Sequence, residues 1–315
     1  MRKRIVGNLC YTFIEMSVMK ALLFIPICLL LLATAGYPSL HRLTTDLAVD
    51  NYPCWSPDGT KIVFTSNRTG HNQIWVMNAD GTNQHNISNS SSSDLTPAYS
   101  PDGSKIAFTS DRARNGDYDI YIMPPEGGIA TRLTQTIELE AWPTWSPNGM
   151  YIAYHRGVDI YSDIHIWKIL SAGGTGIQLT FDGFQDFNPS WSPDGNNIAF
   201  YAFDRFGPGA HVGTMTPNGD DITEITGGEM PCWSPDSLYL AFESYNIYTI
   251  PAGGGIPQQI TFFTDGQTAN PAWSPDGTKI AFQYVYNFNF DIWYIDLNDD
   301  RVESLTLGKI KSLYK

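Results

Sequence analysis

The side chains whose types and spacing could support chemistry are few. His155, Asp159, Asp163 and His165 lie close together in sequence, and a hairpin could gather them as nitrogen and oxygen ligands for a divalent metal. Histidine and aspartate are equally at home on solvated hairpin tips, and that is the favoured reading, so neither a metal nor a cofactor is expected. His71, His85 and His211 show no ligand spacing. The chain contains no G-x-S-x-G elbow, H-E-x-x-H, C-x-x-C, Walker A or dinucleotide-type glycine motif. No catalytic residue is assigned.

What positions the remaining side chains is a repeat. Trp55-Ser56-Pro57-Asp58-Gly59 recurs at residues 99–103, 145–149, 191–195, 233–237 and 273–277, with spacings of 44, 46, 46, 42 and 40. A period of about 44 residues matches one four-stranded unit. Pro-Asp-Gly sets a tight hairpin turn, through a fixed φ, a side-chain acceptor and a residue tolerant of positive φ. An apolar strand such as Ile62-Val63-Phe64 follows, then a second centred on Ile74-Trp75 or its equivalents, then an Ile/Leu-Thr pair such as Leu133-Thr134. One such sheet cannot bury its apolar rows alone, whereas radial stacking covers them. Eight of the nine Trp fall at two repeating positions, five before Ser-Pro and three after Ile. Those eight are read as packing between blades.

The pattern x-P-x-W-S-P-D-G-x-x-I-A-F, then I-W/Y, a G-G or D-G turn and L-T resembles the WD-like propeller repeat of TolB. The resemblance spans about residues 51–306 and implies an all-β six-bladed propeller of four-stranded antiparallel blades, with repeats starting near 51, 95, 141, 187, 229 and 269. About 15 residues separate the expected leader cleavage from the first repeat, so the α/β domain that precedes the propeller in TolB is not expected. No hydrolase domain of the kind joined to related propellers is expected either. Tyr99 replaces Trp, Asn148 replaces Asp, Ser237 replaces Gly, and blade 4 degrades its second-strand signature to Val212-Gly213. His41-Arg42-Leu43-Thr44 looks like an extra outer strand before the first repeat. With Ser304-Leu305-Thr306 it gives seven candidates for six blades, so one end closes the ring.

In such a ring, equivalent positions meet near the central channel. The position before the repeated Pro reads Tyr52, Thr96, Trp142, Asn188, Met230 and Asn270, and Trp142 is the one Trp outside the packing positions. Connections into the innermost strands carry Asp46, Asp50, Asp94, Glu138, Glu140, Asp182, Asp186, Glu229 and Asp265. These predict an acidic rim that would concentrate cations or basic peptide at one channel mouth. Phe181, Phe184, Phe187, Phe262 and Phe263 add apolar area of the kind interfaces use as anchors. Acidic loops that merely keep the protein soluble are the competing reading. Cys54 and Cys232 precede the repeated Trp two blades apart, which exceeds disulfide reach, so separate thiols are expected.

Residues 1–35 read as a signal peptide: an apolar run from Ala21 to Ala33, Lys20 before it and Ala33-Thr34-Ala35 as the exit. An uncleaved anchor would be the only route to a membrane. The body, residues 36–315, is then the propeller, exported to a periplasmic or extracellular space. Nineteen basic against 32 acidic residues argue against nucleic acid as a partner, since polyanion binding needs clustered cations. A hydrophobic content of 42% argues against disorder. The leading expectation is a monomeric, non-catalytic module that binds a protein or peptide, a basic one on grounds of charge, at the acidic channel face. The alternative is a metal-dependent enzyme of polysaccharide lyase or hydrolase type, with its site in the channel.

Overall fold

The computed structural model describes residues 39–113, 118–158, 164–181 and 183–298. Leu40–Leu297 form one compact unit made of six four-stranded antiparallel sheets. A short strand β1 (Leu40–Arg42) comes first. Blade 1 follows as β2 (Asp50–Trp55), β3 (Lys61–Ser66), β4 (Gln73–Asn78) and β5 (His85–Asn86). Blade 2 is β6 (Asp94–Tyr99), β7 (Ile106–Ser110), β8 (Asp119–Met123) and β9 (Thr131–Arg132). Blade 3 is β10 (Leu139–Trp145), β11 (Tyr151–Gly157), β12 (His165–Leu170) and β13 (Ile177–Gln178). Blade 4 is β14 (Gln185–Trp191), β15 (Ile198–Phe203), β16 (Ala210–Met215) and β17 (Thr223–Gly227). Blade 5 is β18 (Glu229–Trp233), β19 (Tyr239–Ser244), β20 (Asn246–Pro251) and β21 (Gln258–Gln259). Blade 6 is β22 (Gln267–Trp273), β23 (Lys279–Tyr286) and β24 (Asn289–Asp296), completed by β1 on its outer edge.

Each apolar cluster joins two neighbouring blades. Val63, Ile74 and Val76 of blade 1 pack with Ile106, Phe108 and Met123 of blade 2, and the pattern repeats at the other interfaces. The sixth cluster brings Trp55, Ile62 and Phe64 of blade 1 against Ala281 and Ile292 of blade 6. The ring is therefore closed. Trp55, Trp145 and Trp233 each donate their indole N–H to a carbonyl of the preceding blade, at Ala272, Ala98 and Ser190, 3.0–3.1 Å away. These indoles serve blade packing, as their repeating position suggested.

Closure falls to the N-terminal end. In blades 2, 3 and 5 the Thr of the Ile/Leu-Thr pair, Thr134, Thr180 or Thr261, accepts the amide of a third-strand Ile at 2.8–3.0 Å. Thr44 does the same for Ile292 at 3.0 Å, and Arg42 pairs with Asp291 at 2.8 Å. Leu43-Thr44 thus occupies the outer position of blade 6; Leu305-Thr306 lies outside the described residues. In blade 4, where Gly213 stands at the aromatic position, Phe206 reaches in from the loop. A Cβ on Gly213 would come within 2.9 Å of both Phe200 and Phe206, so the glycine makes room for the substitute ring.

The Ser-Pro-Asp-Gly turns close the opposite ends of the inner strands. Asp58 accepts from Ser56 Oγ at 2.6 Å and from the Thr60 amide at 3.0 Å, while Gly59 takes φ 70°. Ser237 adopts φ 62° in place of glycine and accepts the Asp194 amide of blade 4 at 3.0 Å.

Candidate functional site

Inner strands of adjacent blades touch all around the ring, so the start of each inner strand borders the channel mouth. There every inner strand carries a bulge, between Asn51 and Cys54 in blade 1 and at the equivalent place in the others. The extra residue is the one before Pro. Tyr52, Thr96, Trp142, Asn188, Met230 and Asn270 all take left-handed φ, between 47° and 55°. Non-glycine residues enter this region at a cost and are held there by their surroundings. The holding groups lie on the neighbouring blade. Thr65 Oγ1 accepts the Thr96 amide, Thr109 Oγ1 the Trp142 amide and His155 Nδ1 the Asn188 amide, at 3.2–3.3 Å.

Those acceptors define a second ring that sequence reasoning missed. Thirteen residues after each bulge residue, in the second strand of the blade, stand Thr65, Thr109, His155, Tyr201, Glu243 and Gln283. The signal was present in the repeat alignment. The position just before it is aromatic in every blade, from Phe64 to Phe282, while this one varies through hydroxyl, imidazole, phenol, carboxylate and amide. Within blades, Thr96 meets Thr109 at 2.7 Å and Asn270 donates to Gln283 at 3.0 Å.

The two rings, joined by Phe187 beside Asn188, produce a continuous aromatic arc. Tyr52 meets Trp142 edge-on at a centroid separation of 5.5 Å, reaching past the short Thr96 of blade 2. Trp142 packs on His155 at 5.0 Å, His155 against Phe187 at 5.6 Å, and Phe187 on Tyr201 at 5.3 Å. His155 is 2% exposed, and burial lowers its pKa to about 3. It is a neutral packing and acceptor group. Tyr52, Trp142, Tyr201, Met230 and Asn270 stay half-buried, open to a ligand.

The acidic rim expected from sequence is largely absent, and this is a correction. Asp50, Asp94, Asp186 and Glu140 are 0–1% exposed. Asp50 pairs with Arg68 at 2.8 Å, Asp94 with Arg112 at 2.8 Å and Asp186 with Arg205 at 2.5 Å. Each guanidinium also covers an aromatic face: Arg68 on Trp75, Arg112 on Phe108, Arg205 on Phe184. Paired and stacked, these carboxylates act as structural groups. In blade 3, Arg156 lies over Trp167 and bonds Glu138, leaving Glu140 3.9 Å away. Asp46 joins Arg68, and Asp265 accepts from the Tyr284 hydroxyl at 2.8 Å. Asp182 lies outside the described residues. Among the loop phenylalanines, Phe181 and Phe262 are exposed, whereas Phe263 stacks on Tyr284.

Among the described rim acids, Asp265 is exposed without a cation partner, and the blade 5 acids are half-buried without one. Glu229 and Glu243 of blade 5 face each other across the β18–β19 ladder, both half-buried. Glu243 Oε2 is buried without a hydrogen-bond partner. Burial, then the charge of Glu229, pushes the Glu243 carboxyl up to about 7, and burial also raises Glu229.

The metal constellation does not assemble from its described members. His155 pairs with Ile166, and Arg156 with His165, so the two histidines project from opposite faces of the sheet. They cannot share one ion; Asp159 and Asp163 lie outside the described residues. Among the described residues no group of three or more His, Cys, Asp or Glu is arranged to hold a metal. Cys54 and Cys232 are separate thiols, raised by burial, Cys232 to about 11.

Residues 51–205 match the family described as the TolB beta propeller domain. The chain carries a TolB-like β-propeller. Among solved structures, a protein provisionally named TolB from Agrobacterium tumefaciens superposes with a TM-score of 0.67 at 21% identity, covering 82% of this chain and 96% of that one. TolB from Acinetobacter baumannii gives 0.58 at 17% identity, over 81% and 65% of the two chains. An oligogalacturonate lyase from Vibrio parahaemolyticus gives 0.58 at 10%, over 84% and 95%. Likenesses this distant establish the fold of this TolB-like propeller and leave its ligand to be argued from the channel mouth.

Proposed function

We infer that the chain is an exported, monomeric and non-catalytic TolB-like propeller that binds a protein or peptide partner at the channel mouth, in a periplasmic or extracellular space. The observation that carries this reading is the aromatic arc from Tyr52 through Trp142 to Tyr201. It is an amphipathic, half-open surface of rigid rings, the composition of an interface anchor. Trp142 sits at its centre on a bulge whose amide is fixed by Thr109. The indole is held between Tyr52 and His155, which limits the entropy lost on binding. Met230 and Asn270 extend the surface around the ring. The buried acids Asp50, Asp94, Glu140 and Asp186 play no direct part. A net charge of −13 favours a basic partner over nucleic acid.

The test is capture of partners from the export compartment by the chain and by its Trp142→Ala variant. Loss of a specifically captured protein with Trp142→Ala is the expected result. Undiminished capture would move the site away from the arc.

A further inference from the structure

Four blades of this molecule show how it treats a carboxylate at the channel mouth. Asp50, Asp94 and Asp186 each receive an arginine from their own blade, laid on an aromatic ring, and Glu138 receives Arg156 in the same manner. Blade 5 breaks the pattern. Gly228 occupies the position of Asp50 and its equivalents, and a Cβ there would lie 2.4 Å from the Phe242 ring. The acids are instead Glu229 and Glu243, beside each other on β18 and β19. No cation lies within ion-pair distance of either among the described residues. They stand where the aromatic arc ends, since β18, which begins at Glu229, packs against β15, the strand of Tyr201.

Resting on the reading of the arc as a peptide-binding surface, we propose that Glu229 and Glu243 receive one arginine or lysine side chain of the bound peptide, with Tyr201 as its aromatic neighbour and the adjacent apolar side chain of the peptide on Trp142. Several observations support this together. Two like charges held side by side without a counter-ion are unfavourable unless something neutralises them. Glu243 Oε2 has its acceptor capacity unspent. A guanidinium held by carboxylate and ring is the solution this chain already uses four times. The mouth is therefore complementary to a cation at blade 5 and to apolar rings at blades 1, 3 and 4, which fixes the direction of a bound segment.

Short random peptides would be selected on the purified chain and on its Trp142→Ala and Glu229→Gln/Glu243→Gln variants. A selected peptide would then be compared by calorimetry with its analogue carrying norleucine for the basic residue. The expected result is enrichment of Arg or Lys next to an aromatic or aliphatic residue. Norleucine should weaken binding about 10- to 100-fold on the parent chain and under about threefold on the double variant. Selected peptides without a basic residue, or an equal norleucine penalty on the double variant, overturn the proposal while leaving the arc as the binding surface. A norleucine penalty that depends on both glutamates but survives Trp142→Ala upholds the cation receptor and removes the arc. Absence of any enrichment on the parent chain overturns both. Calcium that raises the melting temperature of the parent but not of the double variant, with no basic residue selected, assigns the carboxylates to a metal and also overturns the proposal. A melting temperature for the double variant at or above that of the parent shows that it is folded, and Glu243→Gln alone provides a second variant.

Discussion

Blades 2 and 5 answer the same electrostatic problem in opposite ways. In blade 2, Asp94 is fully buried yet accepts two bonds from Arg112 at 2.8 Å, one from Ser110 at 2.6 Å and one from Ser90 at 3.0 Å. Every lone pair that burial removes from water is matched within the fold, and the pair becomes part of the blade's own framework. In blade 5, Glu229 and Glu243 hold their charges beside each other and lack that match. Burial and like-charge proximity favour protonation, and Glu243 Oε2 keeps an acceptor that the fold does not match. An acidic residue on a propeller mouth therefore signals recognition only when its neutralising partner is missing from the chain.

The largest test of that contrast is to break blade 2. Asp94→Ala strands the Arg112 guanidinium and should destabilise the propeller by roughly 3–5 kcal/mol, read as a lower urea midpoint with an unchanged slope. A loss below about 1 kcal/mol would mean that these pairs behave as exposed surface pairs.

Blade 5 should respond with the opposite sign. Its Glu243 carboxyl lies near 7 in the folded chain, against an ordinary value of 4.5. Between those values the folded state holds more protons than the unfolded one, so stability falls as pH rises through that window. Glu229→Gln/Glu243→Gln should therefore stabilise by roughly 1–3 kcal/mol at pH 8, with the gain disappearing below pH 4.5. Thermal melts at the two pH values check this, and a destabilised double variant at pH 8 contradicts it.

Blade 6 offers an intermediate case, because its Asp291 is neutralised by Arg42 of the ring-closing strand. The Arg42 side chain is 37% exposed, so solvent screens the pair. Arg42→Ala should cost about 1 kcal/mol, most of it visible as faster exchange of the Leu43 and Ile292 amides, which bond across this closure. Protection unaltered at those amides would assign closure to Thr44 and the apolar contacts of Leu43.

The parts of this molecule legible in its sequence are those repeated at fixed spacing. Trp55 and its equivalents, the Pro-Asp-Gly turns and the six bulge residues recur in register, because each blade must solve the same packing and turning problem. The arginines that neutralise the acids recur almost as regularly: Arg68 and Arg112 stand 18 residues after Asp50 and Asp94, Arg156 stands 18 after Glu138, and Arg205 stands 19 after Asp186. Arg68, Arg112 and Arg205 lie just beyond the second strand of their blades and Arg156 near the end of β11, away from the Trp-Ser-Pro-Asp-Gly motif on which the repeat is recognised, so the pairing shows only when acid and arginine are compared together. That is why Asp50, Asp94 and Asp186 read as a charged rim and proved to be interior pairs, while Glu140 is buried 3.9 Å from Arg156. The ring of Thr65, Thr109, His155, Tyr201, Glu243 and Gln283 was obscured for another reason. Its spacing is constant but its chemistry is not, and a motif search looks for constant chemistry.

Blade 3 supplies the finest test, since it combines features of both classes. Glu140 is 1% exposed and occupies the position of Asp94, yet Arg156 bonds Glu138 instead. Neither Glu140 oxygen makes a well-formed hydrogen bond. Burial pushes its carboxyl up to about 7, opposed by the nearby Thr134 hydroxyl and then by the Arg156 charge. The sign follows blade 5 rather than blade 2: the protonated acid is the form that burial favours, and stability is lost as pH rises from 4.5 through 7. Glutamine mimics that neutral form without altering length. Glu140→Gln should then be neutral within about 0.5 kcal/mol at pH 5 and stabilising by up to about 1 kcal/mol at pH 8, whereas Asp94→Asn should destabilise at both. Two substitutions at one repeat position with opposite signs would locate the difference in the guanidinium bond itself. A loss for Glu140→Gln at pH 8 as large as that for Asp94→Asn would instead show that 3.9 Å from Arg156 is close enough to keep Glu140 ionised, and blade 3 would join blades 1, 2 and 4.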